Sequence, residues 1–194
     1  MKKDIILAGV GGQGILSIAT VIGYIAVKDG LFLKQSEVHG MSQRGGDVSS
    51  HLRLSSNEIA SDLIPKGKAD MILSVEPMES LRYLPWLSKD GWIITNSIPF
   101  INITNYPDIN EVLKTIKTQP HNIVIDADGI AKEMGSLKSA NMVILGAASP
   151  FLGFPNEKYY DALQFIFGKK GEKIIKTNID AFNTGLEFGI KNQH

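Results

Sequence analysis

The chain has 194 residues, 43% of them apolar, and its 20 acidic and 20 basic side chains give a formal net charge of zero. This length and composition predict one domain with an ordinary hydrophobic core. The lack of a basic excess argues against nucleic-acid binding, which needs cations to neutralise phosphates. No apolar run approaches the roughly 18–20 residues of a membrane span. Residues 1–4 lead straight into a predicted strand without the apolar core of a signal peptide, so we expect a cytoplasmic protein.

The sequence contains no cysteine. A disulfide, a cysteine nucleophile and a cysteine-ligated zinc site are therefore excluded, because each of them needs a thiol group. An iron–sulfur cluster held by this chain alone is excluded for the same reason. If the protein takes part in electron transfer through such clusters, another chain must carry them.

The first predicted unit is a strand, a loop, a helix and a second strand. Residues 3–8 are predicted to form a strand, because residues 5–8 are a continuous apolar run, which is typical of a strand covered on both faces of a sheet. Residues 14–27 carry apolar side chains at helical spacing. A second strand begins at residues 31–34, after Gly30. This order predicts the opening of a Rossmann-like sheet.

The next segment has the pattern of a half-exposed strand. Apolar and polar side chains alternate over residues 48–54, which is the period of a strand with one buried face. Residues 55–57 have turn composition, and we expect residues 58–63 to return as an antiparallel partner. The hairpin would make the sheet mixed.

The remaining two thirds of the chain alternate between predicted strands and helices. Strands are expected at residues 71–75, 92–95 and 123–125, and helices from Pro77 to about residue 87 and at residues 109–116, 140–148, 156–167 and 171–191. The helix at 140–148 is apolar almost all round, which indicates a central position. The predicted fold is a three-layer α/β/α, Rossmann-like arrangement with a mostly parallel, mixed sheet and an inserted β-hairpin, in one domain over residues 1–194.

A glycine loop lies between the first strand and the first helix. Gly9, Gly11 and Gly14 satisfy the spacing of a dinucleotide-binding motif, in the strand–turn–helix context that this motif requires. Glycines let a ligand approach backbone N–H groups, and the following helix N-terminus favours an anion. Two interpretations stay open: the loop binds a phosphate or pyrophosphate, or the glycines only permit close packing of strand and helix.

A second glycine-bearing loop follows about 25 residues later. Its polar side chains and glycines are Ser42, Gln43, Arg44, Gly45 and Gly46, preceded by His39. An arginine between flexible neighbours can bind phosphate or carboxylate with two hydrogen bonds, or form an ion pair with a partner subunit. A histidine can transfer protons near neutral pH, although a loop histidine is more often a structural hydrogen-bonding group.

Residues 9–16 and 35–46 together closely resemble the gamma-type domain of 2-oxoacid:ferredoxin oxidoreductases. The amino-acid sequence of residues 37–46 is most similar to the aryl-pyruvate branch of that family, represented by the small (beta) subunit of indolepyruvate ferredoxin oxidoreductase. The pyruvate branch tends to have a second loop richer in proline and arginine. The match is strong over the first quarter of the chain, and the rest follows the family in length and general α/β pattern.

The resemblance implies a subunit of an enzyme that oxidatively decarboxylates a 2-oxoacid. In this family thiamine diphosphate attacks the keto carbon, electrons pass through iron–sulfur clusters to ferredoxin, and coenzyme A takes the acyl group. The large subunit carries thiamine and clusters, and the gamma-type domain packs against it and is associated with coenzyme A. We therefore expect coenzyme A as cosubstrate, a large thiamine- and cluster-bearing partner, and activity only in the complex.

The expected cofactor-binding residues lie in the two loops, and no metal site is predicted. They are Gly9, Gly11, Gly12, Gln13, Gly14, Ser42, Gln43, Arg44, Gly45 and Gly46. His39 is a candidate for a catalytic role. Elsewhere, Glu76 and Glu79 suit a helix start, Asp128 is expected to cap a helix, and Asn96 is a weaker candidate for the same crevice.

Two other functions compete with this one. The chain could be a free-standing NAD(P)-binding reductase, in which Glu37 would bind the ribose hydroxyl groups. It could also be a scaffold subunit that only supports the site of its partner. The second loop favours the oxidoreductase subunit, because a nicotinamide enzyme has no particular need for the segment at residues 42–46.

Overall fold

The computed structural model describes residues 1–40 and 45–193 of the chain. Six strands form one sheet, and they are β1 (Lys2–Val10), β2 (Phe32–His39), β3 (Asp47–Ser55), β4 (Ala69–Ser74), β5 (Leu87–Asn96) and β6 (Asn122–Ile125). The strand order is β2-β3-β1-β4-β5-β6. Strands β1, β4, β5 and β6 are parallel, and β3 runs antiparallel to both of its neighbours. The sheet is therefore mixed and mostly parallel, as predicted.

Helices cover both faces of this sheet. They are α1 (Ile15–Lys28), α2 (Pro77–Arg82), α3 (Ile109–Lys117), α4 (Ala127–Glu133), α5 (Ala140–Leu152), α6 (Asn156–Phe167) and α7 (Glu172–Lys191). One hydrophobic cluster joins the sheet to α1 and α4–α7, and a smaller one joins it to α2 and α3. Across residues 1–40 and 45–193, no helix is long and apolar enough to cross a membrane. The three-layer α/β prediction is confirmed.

Helix α5 is the central helix of the larger layer, as its all-round apolar pattern indicates. Every residue from position 141 to 149 is buried. It lies unusually close to α7, because Cβ atoms added at Gly146 and Gly185 would come within 2.0 Å of backbone oxygens on the facing helix. The two helices therefore pack backbone to backbone, which only glycine permits at these positions.

Strand β3 belongs to a hairpin, but this hairpin is formed with β2 and not with the predicted residues 58–63. β3 pairs with β2 on one side and with β1 on the other, and residues 58–63 are not a strand. Arg53 explains the difference, because its guanidinium donates to the carbonyls of Ser61 and Leu63, at 2.9 and 3.0 Å, and forms an ion pair with the buried Asp4. The Arg53 side chain thus supplies hydrogen bonds to two carbonyl groups that would bond to a neighbouring strand if this segment were a strand.

The predicted helix from Pro77 to residue 87 was too long. Helix α2 ends at Arg82, a 3-10 turn covers Leu84–Trp86, and β5 begins at Leu87. Pro85 lies inside this turn and has no N–H group to continue an α-helix. The helix-like spacing of apolar residues over 78–87 therefore arises from two successive short elements, α2 and the 3-10 turn.

Candidate functional site

A cleft of about 660 Å³ opens where the parallel strands end. Its walls come from the glycine loop after β1, from residues following β4, β5 and β6, and from the starts of α5 and α7. In open α/β sheets this carboxyl edge is where ligands bind. The first glycine loop contributes Gly12, Gln13 and Gly14 to the lining.

The backbone of the glycine loop has the open geometry that an anion needs. Gly12 and Gly14 have positive φ angles of 100° and 82°, and a Cβ atom at Gly12 would meet nothing within 4 Å. Gly14 is the N-cap residue of α1, without a capping side-chain hydrogen bond, and the first turn of α1 has no acidic residue. Because Gly14 lines the cleft, the positive end of the α1 dipole lies at the cleft.

Other residues of the same loop serve packing. A Cβ atom at Gly9 would lie 2.4 Å from Cγ2 of Val75, so this glycine permits close approach of the loop to the end of β4. The Gln13 carboxamide accepts a hydrogen bond from the N–H of Val10 at 2.8 Å and donates to the Val75 carbonyl at 3.3 Å. The close-packing interpretation of the glycine motif therefore applies to Gly9, and phosphate binding by the loop stays a prediction.

The second glycine loop lies directly beside the first. The N–H of Gly11 donates to the carbonyl of Gly46 at 2.9 Å, so this amide is occupied by protein. The Gly45 carbonyl accepts a hydrogen bond from the Asn102 side chain, which belongs to the loop after β5. Three loops are thereby joined at the edge of the cleft.

The predicted residues Ser42, Gln43 and Arg44 lie outside the described residues, and their assignment stays a prediction.

His39 and Glu37 lie away from the glycine loop. Strand β2 is at the edge of the sheet, and β3 separates it from β1. In the register of the sheet His39 aligns with Val48 and Gly9, so two strand spacings, about 10 Å, separate its backbone from that of Gly9. The Glu37 carboxylate is contacted by Nε2 of Gln35 at 2.8 Å and by His39 at 3.3 Å. The geometry that a ribose-binding carboxylate requires is not present at Glu37.

A buried carboxylate fixes the loop after β5. Glu76 caps α2 by accepting the N–H of Glu79 at 2.8 Å, as the sequence predicts for a helix start. Its other oxygen accepts hydrogen bonds from the N–H of Phe100, at 3.4 Å, and from the Tyr106 hydroxyl. The side chain is buried, and this burial raises the pKa of Glu76. Phe100 lines the cleft, so Glu76 shapes one wall.

Asn96 and Asp128 form a polar corner of the cleft. Asn96 ends β5, and its side-chain oxygen accepts the N–H of Ala127 at 3.1 Å. The expected helix cap is corrected: Asp126, and not Asp128, caps α4 by accepting the N–H of Gly129 at 2.7 Å. Asp128 instead lines the cleft, where burial raises the pKa of its carboxyl group.

The far wall of the cleft was not predicted from sequence. It contains Lys138, Asn141 and Lys170. The Asn141 amide donates to the carbonyl of Gly14 at 3.0 Å and so joins the start of α5 to the start of α1. A polar residue at the head of an otherwise apolar helix was the one pattern that could have identified this wall. Within residues 1–40 and 45–193, no cluster of three or more potential metal ligands is found.

Known proteins are similar to this chain in sequence and in fold. A family model described as pyruvate ferredoxin/flavodoxin oxidoreductase matches residues 4–188. The Methanothermobacter thermautotrophicus protein named indolepyruvate oxidoreductase subunit IorB is 36% identical over 193 residues, which are 96% of this chain and 97% of the relative.

Two solved structures have the same fold. The gamma subunit of a keto/oxoacid ferredoxin oxidoreductase from Geobacter sulfurreducens has a TM-score of 0.68 and 25% identity, over 97% of this chain and 99% of that one. The 2-oxoglutarate:ferredoxin oxidoreductase of Magnetococcus marinus, with 2-oxoglutarate, coenzyme A and succinyl-CoA bound, has a TM-score of 0.78. This match has 23% identity and covers 98% of this chain and 31% of that one, so it shows the fold alone. The family match over nearly the whole chain confirms the resemblance carried by the two loops, and the chain belongs to the pyruvate ferredoxin/flavodoxin oxidoreductase family.

Proposed function

We propose that this chain is the small, cluster-free subunit of a cytoplasmic 2-oxoacid:ferredoxin oxidoreductase that acts on indolepyruvate or another aryl pyruvate. The observation that carries the proposal is the pair of joined glycine loops beside the cleft, in a chain of this family. The full-length similarity to a protein named as an indolepyruvate oxidoreductase subunit supports the substrate class. Under this proposal residues 1–194 act as one gamma-type domain.

The reaction divides between two chains. The 2-oxoacid loses its carboxyl group as carbon dioxide, two electrons pass to ferredoxin, and the acyl group forms a thioester with coenzyme A. The large subunit supplies thiamine diphosphate and the iron–sulfur clusters. The absence of cysteine from this chain agrees with that division, because the clusters need thiolate ligands.

The role of this chain is to bind coenzyme A in the cleft. The open backbone at Gly12 and the N-terminus of α1 suit the pyrophosphate group, which carries negative charge and several acceptor oxygens. The cleft volume of about 660 Å³ lies within the range of cofactor sites. Placing the cosubstrate at the edge of this subunit brings it to the boundary with the thiamine-bearing partner.

An exposed apolar surface supports the need for a partner. The loop after β5 presents Ile98, Phe100, Ile101 and Ile103 with 38–71% of each side chain exposed. Phe100 also lines the cleft, so the same loop borders the site and faces outward. Clustered exposed apolar side chains are typical of interaction surfaces, and burial of this loop by the large subunit would close the cleft.

Anaerobic purification of the tagged chain from its native host tests the proposal. We expect a brown complex that contains a large, cysteine-rich, thiamine-binding chain and that reduces ferredoxin with an aryl pyruvate and coenzyme A. The separated small chain should be colourless and inactive, and recombining the chains should restore turnover. A colourless chain that purifies alone in high yield, without such a partner, would contradict the proposal.

A further inference from the structure

We propose that the far wall of the cleft is a second anion subsite, formed by Lys138, Lys170 and the N-terminus of α5. It binds the phosphate monoester on the ribose of coenzyme A while the glycine loop binds the pyrophosphate. The inference rests on the proposed function and adds to it, because it says which part of the ligand each wall recognises. It predicts that the site distinguishes coenzyme A from its form without the 3′-phosphate.

The first support is the positive charge of this wall. Lys138 lies in the 3-10 turn that precedes α5, and Lys170 lies in the turn that precedes α7. Both side chains line the cleft, and neither forms an ion pair with an acidic group in the part of the chain that the structure describes. Nζ of Lys170 lies 5.2 Å from the ring centre of Phe167, another lining residue.

The second support is the uncapped start of α5. Ser139 occupies the N-cap position without a side-chain hydrogen bond to the helix, and the described first turn of α5 contains no acidic residue. The first amides of this 13-residue helix therefore keep their positive potential, as they do at the start of α1. Two uncapped helix starts meet at one cleft.

The third support is an unsatisfied polar atom between the two helix starts. Asn141 is 7% exposed, and its Nδ2 donates to the Gly14 carbonyl at 3.0 Å. Its Oδ1 is buried and has no hydrogen-bond partner among the described residues. A buried acceptor without a donor is unfavourable, and a hydroxyl or amino group of a bound nucleoside would supply one.

The positive groups define the ligand class. Because the amides of the glycine loop and the lysine pair lie on different walls, the cleft fits a ligand with two separate anionic groups. A nucleoside that carries both a pyrophosphate and a ribose phosphate has this charge pattern, whereas NAD has only the pyrophosphate. Asp128 is the one acidic residue of the described lining, and burial raises the pKa of its carboxyl group.

Equilibrium binding to the assembled enzyme tests the subsite, with coenzyme A, 3′-dephospho-coenzyme A and NADP⁺ as ligands. We expect coenzyme A to bind at least about tenfold more tightly than the dephosphorylated form. The double variant Lys138→Gln/Lys170→Gln should reduce this ratio to less than about threefold. Lys169→Gln removes a neighbouring exposed lysine that does not line the cleft, and it should keep the wild-type ratio.

The possible results separate this inference from the proposed function. Equal affinity of the wild type for the two forms of coenzyme A would overturn the subsite and leave the proposed function intact. Failure of both forms to bind would contradict the proposed function itself. NADP⁺ binding as tightly as coenzyme A would overturn the assignment of the ligand. Because all three lysines are exposed, melting temperatures near the wild-type value are expected and would confirm that the variants fold.

Discussion

Glu76 is a single residue that organises one side of the site. The residue is 1% exposed, and its carboxyl group is surrounded by donors from α2 and from the loop after β5. The sequence predicted its helix-start position from local chemistry alone. The contacts with Phe100 and Tyr106 come from residues 24 and 30 positions away, and no local pattern encodes contacts of that separation.

Replacing Glu76 by Gln should change how stability depends on pH. Burial raises the pKa of Glu76 above its ordinary value of 4.5, so the folded state holds the proton more tightly than the unfolded chain. This contribution to stability is complete below pH 4.5 and is lost as the pH rises through the folded pKa. Because the glutamine of the variant does not ionise, the wild type should lose stability relative to the variant over that range.

Urea denaturation at several pH values measures this difference. Glu111→Gln is the matched control, because it removes one carboxylate whose side chain is 71% exposed. A difference between wild type and Glu76→Gln that stays constant from about pH 4.5 to 8 would contradict the prediction.

Among elements, helices α5 and α7 have the closest contact. A Cβ atom at Gly185 would lie 2.0 Å from the carbonyl oxygen of Val143, and one at Gly189 would lie 2.4 Å from that of Ala147. The sequence predicted both helices within a few residues of their observed ends. Their mutual distance was not predictable, because hydrophobic periodicity gives the buried face of a helix and not the depth of its packing.

Gly185→Ala should destabilise the protein by about 1–3 kcal/mol, because the added methyl group forces the two helices apart. Helix α7 contributes Ile174, Thr177 and Asn178 to the cleft, so affinity for coenzyme A should fall as well. Chemical denaturation and ligand titration measure the two effects. Gly168→Ala is the control, since a Cβ atom at this position meets nothing within 4 Å. Equal stability of the two variants would refute the prediction.

The pairing of β3 shows a limit of prediction at the same scale. Alternation over residues 48–54 correctly identified a strand, but none of these residues is exposed, because residues 48–50, 52 and 54 are buried and the other two are half-buried. Alternation also does not identify the neighbouring strand. The ion pair between Arg53 and Asp4, with an Nε to Oδ1 distance of 2.7 Å, joins β3 to β1. Asp4 is buried, and its ion pairs with Arg53 and Lys2 offset the cost of burying its charge.

For the whole molecule, strand order decides between the competing functions. A dinucleotide-binding fold places its second strand next to the first, so that an acidic side chain reaches the ribose near the glycine loop. Here β3 lies between β1 and β2 and moves Glu37 to the edge of the sheet. The glycine motif is therefore present without the carboxylate that would favour NAD.

Thermal unfolding of the full chain should consequently respond to coenzyme A and not to NAD⁺ or NADH. A ligand at about 100 times its dissociation constant raises the free energy of unfolding by about 2.7 kcal/mol, which is a measurable shift in melting temperature. Glu37→Gln should leave the coenzyme A response unchanged. A shift with NADH that disappears in Glu37→Gln would support the free-standing reductase instead.

Composition, local periodicity and two short motifs were enough to establish the α/β class, most helices and strands, the exclusion of bound clusters and the family. The strand order, the contact between the two glycine loops and the position of Glu37 depended on the tertiary structure. Folding also brought Lys138, Asn141 and Lys170 to the cleft that contains Gly12 and Gly14. The hydrogen bond between Asn141 and Gly14 joins residues 127 positions apart, and pairing at that separation depends on how the whole chain packs and not on any local segment.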